Sequence, residues 1–189
     1  MSRNPALRDH IAATVLDAAA AVLAERGEAA SMADIAAAAG VGRATLYRYF
    51  PNREVLLQAL ARAAVDELGD RVAEAGLDTV PVAEGIARLT RAFVGTGSKY
   101  VAFMRSGQKP VDPALVDRQL GEPLRGLFRR GAADGTLRGD LPTEVLLALY
   151  TGLLEAAFTM ATQGGLGVEQ ASAATIAVFL DGAGGTGEV

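Results

Sequence analysis

Apolar residues recur every three or four positions along most of the chain, a spacing that places them on one face of a helix. The first such series predicts a helix that ends near Gly27 and contains Leu7, Ile11, Val15, Ala18 and Val22. β-branched residues show no alternation of period two, and aromatic residues make up only 5% of the 189 residues. The spacing therefore predicts an all-α protein of about nine helices.

The predicted helices fall into two domains followed by a tail. Residues 1–53 contain three helices, and residues 54–181 contain the others, with a long fourth helix linking the two domains. Within the second domain we expect a short helix at residues 100–104 and a later helix that Pro123 kinks. The glycine-rich residues 182–189 predict a disordered tail.

Several kinds of catalytic and metal site are excluded by the residues that the sequence lacks. There is no cysteine, which excludes disulfides and cysteine-ligated metals and is compatible with a reducing cytosol. His10 is the only histidine, so neither a histidine-rich zinc site nor a serine–histidine–aspartate triad is expected. No glycine-rich stretch completes a phosphate-binding spacing. We therefore expect no enzyme activity, no metal and no cofactor.

The sequence carries no sign of export or of membrane insertion. Residues 1–9 lack the apolar core of a signal peptide, and no run approaches the ~20 uninterrupted apolar residues that span a bilayer. The net charge of −4 gives the chain no overall attraction to nucleic acid or to an anionic membrane surface. We therefore expect a cytoplasmic protein with no membrane partner, in which any binding of DNA depends on a local patch.

Ala36, Gly40 and Leu46 have the spacing of two helices that cross through a three-residue turn. The small Ala36 lets the two helices approach closely, Gly40 can adopt the left-handed conformation of the turn, and Leu46 anchors the second helix in the core. The trio predicts a helix-turn-helix unit, although a hairpin of two alanine-rich helices would use the same residue types.

The local charge of this unit differs from that of the whole chain. From Ile35 to Arg53 there are three arginines and no acidic residue. Six side chains of the unit's second helix are not needed for the hydrophobic core: Arg43, Ala44, Thr45, Tyr47, Arg48 and Tyr49. They offer guanidinium, hydroxyl, phenol and small apolar groups to a ligand. A merely solvated helix would more often carry glutamate and lysine, so this composition favours DNA binding.

Residues 31–56, SMADIAAAAGVGRATLYRYFPNREVL, resemble the DNA-binding domain of the TetR family of bacterial transcriptional regulators. The similarity is greatest at residues 45–53, where an aromatic cluster precedes a basic residue at the start of the fourth helix. The resemblance implies a transcriptional repressor that is an all-helical homodimer. It also implies that the second domain binds a small-molecule effector, whose identity the sequence does not reveal.

The resemblance further implies which residues contact double-stranded DNA. Arg43, Ala44 and Tyr47 match positions that face base edges, and a bidentate contact of Arg43 with guanine would contribute ~1–3 kcal/mol of discrimination. Partial burial of Tyr47 against its own domain is the alternative for that residue. The positions that match those near phosphates are Ser31, Met32, Thr45, Arg48, Tyr49 and Arg53. A homodimer would read two half-sites about 34–36 Å apart, so we expect a near-palindromic operator.

The predicted helix at residues 143–163 is apolar on more than one side. It carries only two charges, Glu144 and Glu155. One side can pack on its own core, and the other needs a partner, for which the following helix is the natural companion in a two-fold bundle. The expected dimer interface contains Leu146, Leu153, Phe158, Ile176, Phe179 and Leu180. The alternative is the central helix of a monomer.

The large side chains of the second domain are candidates for the wall of an effector pocket: Phe93, Tyr100, Phe103, Met104, Phe128 and Tyr150. Glu155 joins them because it lies inside an apolar run, where a buried carboxylate needs a partner such as an arginine, a hydroxyl or a cationic ligand group. An ordinary core role remains open for the aromatic residues, and a solvated or interfacial ion pair for Glu155.

A helical dimer that binds ligand or protein and keeps the helix-turn-helix as a scaffold is a second possible class of function. The acid-free stretch at residues 35–53 argues against it.

Overall fold

The computed structural model describes residues 5–96, 112–163 and 165–184. Its α-helices are α1 (Pro5–Arg26), α2 (Met32–Ala38), α3 (Arg43–Tyr49), α4 (Arg53–Glu74), α5 (Val82–Gly95), α6 (Pro113–Val116), α7 (Glu122–Asp134), α8 (Thr143–Gln163) and α9 (Val168–Ala183). No strand occurs in these three ranges, so the all-α prediction is confirmed. The predicted helix at residues 100–104 lies outside the described residues.

The chain divides into two compact units, and α4 contributes to both. The described part of the first unit is residues 5–65 with Asp112, and that of the second is residues 66–96, 113–163 and 165–184. The first unit thus extends twelve residues beyond the predicted domain boundary after residue 53. The reason is that α4 adds three leucines to the hydrophobic core of the first unit: Leu56, Leu57 and Leu60.

The core of the first unit is built by α1, α2, α3 and the first half of α4. Val15 of α1, Ile35 of α2, Leu46 of α3 and Leu60 of α4 are all 0% exposed. Burial of each such side chain contributes roughly 1.5–3 kcal/mol relative to exposure. This packing fixes one face of the short helix α3 and leaves its opposite face in solvent.

The core of the second unit contains three aromatic rings from three helices. Phe128 of α7 lies 5.4 Å from Tyr150 of α8 and 5.6 Å from Phe179 of α9, measured between ring centroids. The centroids of Tyr150 and Phe179 are 4.9 Å apart. Aromatic pairs at such distances contribute ~0.5–1.5 kcal/mol beyond their buried area. The three rings therefore hold α7, α8 and α9 together.

The helix that precedes α7 is distorted next to Pro123. A π-helical turn, Asp117–Gly121, connects α6 to α7, and Pro123 lies in the first turn of α7. Proline has no N–H to donate, and its ring clashes with the carbonyl four residues earlier, here that of Gln119. The wider π turn relieves this conflict. The distortion that the sequence predicts at Pro123 is therefore a π turn immediately before it.

Candidate nucleic-acid interface

The turn between α2 and α3 has the geometry that the sequence predicts. Gly40 has φ of +65°, and its N–H donates to the Ala37 carbonyl over 3.1 Å. The Val41 N–H donates to the Ala36 carbonyl over 3.0 Å. A Cβ at Gly40 would meet no atom within 4 Å, so only the left-handed backbone requires glycine there. The helix-turn-helix prediction is confirmed.

The start of α2 is fixed by a capping box. The Asp34 N–H donates to Ser31 Oγ over 3.1 Å, while the Ser31 N–H donates to Asp34 Oδ2 over 2.9 Å. Ser31 Oγ also donates to Asp34 Oδ2 over 2.6 Å, and Arg26 Nη1 lies 3.1 Å from Asp34 Oδ1. The hydrogen bonds from Ser31, with a smaller contribution from Arg26, lower the pKa of Asp34. Ser31, which is predicted to lie near a DNA phosphate, therefore directs its hydroxyl proton at Asp34.

The exposed face of α3 carries the residues predicted to face base edges. Leu46 and Phe50 turn inward, at 0% and 5% exposed. Arg43, Ala44 and Tyr47 are exposed, with Tyr47 at 47%, so the structure brings these three together on one solvent-facing surface. We call this surface the α3 face, and it lacks any acidic residue because residues 35–53 contain none.

Arg48 and Tyr49 form a cation–π pair at the end of α3. The Arg48 Cζ atom lies 5.3 Å from the centroid of the Tyr49 ring. Tyr49 is half-buried against the first core, which restrains the position of Arg48. In the described part of the chain neither Arg43 nor Arg48 has an acidic partner within ion-pair distance. Both guanidinium groups are therefore available to an anionic ligand.

The other residues predicted to lie near phosphates have different surroundings. Met32 is half-buried and packs against the first core, and Thr45 is half-buried in α3. Arg53 Nη1 donates to the Ala30 carbonyl. Sequence reasoning gave no signal for this last contact, because its two residues are 23 positions apart.

Two of the aromatic residues predicted to line an effector pocket, Phe128 and Tyr150, lie in the core of the second unit. Phe128 and Tyr150 are both 0% exposed, and each packs on Phe179, which the sequence assigned to the dimer interface. Phe93 is half-buried, and Glu155 is exposed on α8 and so is not a buried carboxylate. Tyr100, Phe103 and Met104 lie outside the described residues. The structure thus places Phe128 and Tyr150 in a packed core.

Half of the residues predicted for the dimer interface are buried within the chain. Leu146, Phe158 and Phe179 are 2%, 4% and 3% exposed, so they are not on the surface. Leu153, Ile176 and Leu180 are half-buried. The large apolar residues that α8 and α9 expose are others: Val145 at 42%, Leu149 at 55%, Val168 at 42% and Val178 at 60%.

Leu149, Gly152 and Val178 line an apolar groove of about 470 Å³ between α8 and α9. We call this exposed apolar surface the α8–α9 face. Over Thr143–Ala161, α8 is long and apolar enough to cross a membrane by length and composition alone, a criterion that the core helix of a soluble protein also meets. In the described chain 28% of that window is buried.

A groove within the second unit was not predicted. It has a volume of about 690 Å³, lies between the second half of α4 and the start of α7, and is lined by Gly69, Asp70, Leu77, Arg118, Gln119 and Gly126 among others. We call it the α4–α7 groove. Gln119 Oε1 is buried without a hydrogen-bond partner. The signal in the sequence is Pro123, whose predicted kink is the π turn that carries Gln119, and π turns are frequent at functional sites.

No cluster of three or more histidine, aspartate or glutamate residues that could hold a metal ion occurs in the described ranges. The ionic contacts of the second unit are surface pairs instead. Arg129 Nη2 lies 2.7 Å from Glu122 Oε1, and Arg125 Nη2 lies 2.8 Å from Glu122 Oε2. Hydrogen bonds from Arg129 and then Arg125 lower the pKa of Glu122.

Comparison with known proteins finds bacterial transcriptional regulators. Residues 15–60 match the family model described as bacterial regulatory proteins, tetR family. The HTH-type transcriptional repressor LfrR of Mycolicibacterium smegmatis is 41% identical over 159 residues, which are 83% of this chain and 82% of the relative. The HTH-type transcriptional repressor AcnR of Corynebacterium efficiens is 31% identical over 143 residues, 70% of this chain and 71% of the relative.

Solved structures of such regulators superpose on nearly the whole chain. The TetR-like transcriptional regulator LfrR from Mycobacterium smegmatis, in complex with proflavine, gives a TM-score of 0.73 at 28% identity and covers 91% of this chain and 96% of that chain. This superposition pairs more of the chain than the sequence alignment does, at lower identity. The regulator SCO0520 from Streptomyces coelicolor gives a TM-score of 0.64 at 28% identity, with 93% and 99% covered.

Proposed function

We propose, from the premise that this chain belongs to the TetR family of bacterial regulatory proteins, that its α3 face binds the major groove of a near-palindromic operator. The chain is a TetR-like transcriptional regulator, and we expect it to repress the genes next to its operator in the cytoplasm. The observation that carries the proposal is the α3 face itself, where Arg43, Ala44 and Tyr47 are exposed together within an acid-free stretch, residues 35–53.

Each residue of the α3 face has a chemistry that suits DNA. The Arg43 guanidinium can donate two parallel hydrogen bonds to guanine O6 and N7, which distinguishes guanine from the other bases in the major groove. The Ala44 methyl can contact the methyl group of thymine. The Arg48 and Tyr49 pair suits a phosphate, which positions the helix and carries no sequence information.

The homodimer that this function requires would form through the α8–α9 face. Leu149 and Val178 are the most exposed large apolar residues of the two helices, and a protein in water gains free energy when such a surface is covered. Gly152 lines the same groove and would allow close approach of a second copy. We therefore propose Leu149, Gly152 and Val178 for the dimer interface, in place of Leu146 and Phe179, which are buried within the chain.

Footprinting on DNA that flanks the coding region of this chain tests the proposal. A dimer should protect two symmetric half-sites about 10–10.5 base pairs apart or a multiple of that spacing. Arg43→Ala combined with Tyr47→Ala should abolish protection. Arg91→Ala is the matched control, because Arg91 is an exposed arginine of α5 outside the α3 face. If no flanking fragment is protected at low ionic strength without effector, the proposal is wrong.

The same footprint separates the second candidate function from the first. A helical dimer that only binds ligand or protein would leave all duplexes unprotected while still dimerising through the α8–α9 face. A DNA-binding regulator protects its operator and loses protection when an effector is added.

We place the effector in the α4–α7 groove instead of among the aromatic residues that the sequence suggested. Phe128 and Tyr150 are packed against each other, whereas the groove has the volume of a small-molecule site. The unpartnered Gln119 Oε1 supports this placement, since a buried acceptor without a donor is unfavourable until a ligand supplies one.

A substitution that fills the groove tests the effector site. A Cβ at Gly126 would meet no atom within 4 Å, so Gly126→Leu should extend into the groove without a clash at its first atom. With proflavine, the ligand named for the LfrR structure, as the probe, we expect at least tenfold weaker binding by Gly126→Leu than by the parent. Operator affinity without ligand should be unchanged, and Gly126→Ala should behave as the parent. If Gly126→Leu binds proflavine as the parent does, the ligand lies elsewhere.

A further inference from the structure

Arg53 and Ala30 join the two ends of the helix-turn-helix segment. Ala30 directly precedes Ser31, the N-cap of α2, and Arg53 is the first residue of α4. Arg53 Nη1 donates to the Ala30 carbonyl oxygen, and both residues belong to the first unit. The contact therefore closes a loop that contains α2, the turn and α3.

The helix α4 does not itself account for an arginine at its first position. A helix N-terminus carries a partial positive charge, so a cation there is electrostatically unfavourable. The start of α4 is already capped by Asn52, whose Oδ1 accepts from the Val55 N–H over 2.8 Å. A short polar residue or an acidic one would suit position 53 better. The benefit of Arg53 therefore comes from outside α4.

Ala30 provides a reason for the arginine. The residue is 2% exposed, and it follows the short 3-10 turn that ends α1. Ala30 lies between helices, and no backbone N–H of the described residues donates to its carbonyl oxygen. A buried carbonyl without a donor is unfavourable, and the guanidinium of Arg53 supplies the missing hydrogen bond.

We propose that Arg53 is a positioning residue that holds the helix-turn-helix segment against the start of α4 through Ala30, a role different from the phosphate contact that the family resemblance implies. The proposal rests on the proposed function, because positioning matters only if α3 binds DNA. Closing the loop reduces the number of orientations that α2 and α3 can adopt. An ordered α3 face then binds its operator without first losing that freedom.

The two roles of Arg53 differ in their dependence on salt. A side chain that neutralises one phosphate contributes about 0.9 to the slope of log affinity against log salt concentration. A side chain that only positions α3 contributes nothing to this slope, although its loss weakens binding. Hydrogen exchange of the free protein differs as well, since only the positioning role orders the backbone around Ala30 in the absence of DNA.

The experiment uses the full chain with Arg53→Met, Arg53→Lys and the control Arg48→Gln. Operator affinity is measured by fluorescence anisotropy at four salt concentrations, and amide exchange at residues 27–38 is measured without DNA. We expect Arg53→Met to bind about tenfold more weakly with the salt slope of the parent, and to exchange faster at residues 27–38. Arg53→Lys, which keeps a donor, should restore both properties towards the parent. Arg48→Gln should lower the slope and leave the exchange unchanged.

Other results overturn the proposal. A slope that falls by about one unit in Arg53→Met, with exchange as in the parent, would make Arg53 a phosphate ligand. Unchanged affinity in Arg53→Met would show that the contact has no part in DNA binding. A lower thermal midpoint with unchanged affinity of the folded protein would assign Arg53 to stability alone. If the parent binds no operator, the proposed function fails, while the exchange of the free protein still reports whether Arg53 orders residues 27–38.

Discussion

The hydroxyl oxygens of Tyr150 and Thr90 lie 2.9 Å apart in the core of the second unit. The Thr90 hydroxyl also donates to the Ile86 carbonyl over 2.8 Å, and either hydroxyl can be the donor between Thr90 and Tyr150. The Tyr150 ring is fully buried between Phe128 and Phe179. This burial raises the pKa of Tyr150 far above its ordinary range, and the hydrogen bond with Thr90 opposes the rise.

Tyr150→Phe keeps the ring and removes this hydrogen bond. We expect the free energy of unfolding to fall by about 1 kcal/mol at neutral pH, as measured by urea denaturation. The neutral phenol is favoured in the folded state, so its contribution is complete below the ordinary tyrosine pKa of about 10 and is lost as pH rises above it. The parent should therefore lose more stability between pH 9 and pH 11 than Tyr150→Phe does. Parallel losses would contradict this expectation, and Tyr47→Phe, at an exposed site, is the control.

Gly40→Ala tests the left-handed turn between α2 and α3. The φ of +65° at Gly40 should make this substitution destabilising by about 1–2 kcal/mol, although space for the methyl group exists. Gly126→Ala is the matched control, since alanine in the interior of α7 should stabilise the protein by roughly 0.5–1 kcal/mol. Thermal unfolding of both variants measures the difference. Equal effects of the two substitutions would show that the turn does not require the left-handed conformation.

Arg43→Ala and Arg48→Gln should change DNA binding in different ways. Loss of Arg43 should remove ~1–3 kcal/mol of preference for guanine at one position of each half-site. Loss of Arg48 should weaken binding to all duplexes alike and lower the salt slope by about one unit. Competition assays with operator variants at two salt concentrations separate the two results. The reverse assignment would mean that α3 is oriented differently on the DNA.

Ser31→Ala should weaken the start of α2 in a manner that depends on pH. The variant loses the acceptor of the Asp34 N–H and the Ser31 Oγ hydrogen bond, which is the largest cause of the lowered pKa of Asp34. A carboxylate whose pKa is lowered by folding stabilises the protein above its unfolded pKa and loses this effect as pH falls. The difference in thermal midpoint between the parent and Ser31→Ala should therefore be larger at pH 7 than at pH 3. A difference that is the same at both values would rule out the carboxylate of Asp34 as its source.

Leu149→Glu should prevent the proposed dimerisation through the α8–α9 face. A charge in the centre of the α8–α9 face would have to be buried without a partner when two copies associate. Light scattering at micromolar concentration measures the mass, and footprinting should show loss of operator protection, since one copy presents only one α3 face. Glu144→Gln, also on α8 and exposed, is the control that should remain dimeric. A monomeric parent would contradict the proposed interface.

The all-helical fold and the helix-turn-helix could be predicted because their signals are local. The positions of Ala36, Gly40 and Leu46 along the chain fix the turn, since a left-handed glycine and a buried anchor are needed at those offsets whatever surrounds them. The exposure of Arg43 and Tyr47 follows from the same spacing, because Leu46 must face inward. The predicted DNA contacts of these residues remain predictions.

Which face of α8 is buried could not be predicted, because α8 carries apolar residues on more than one side. The sequence offered Leu146 and Phe158 for the dimer interface, and the structure buries both in the chain's own core. Val145 and Leu149 are equally apolar and are exposed instead. Which side of such a helix faces solvent depends on where α7 and α9 pack, and periodicity does not contain that information.

What the sequence determined by itself is the local structure: the helices, their order and the turn that presents α3. Tertiary structure alone decided that Arg53 reaches Ala30, that Phe128, Tyr150 and Phe179 form one core cluster, and that Gln119 lines a groove. The physical reason is distance along the chain. Hydrogen bonds and side-chain preferences within a few residues leave a pattern in the sequence, whereas contacts between distant residues depend on how whole helices pack.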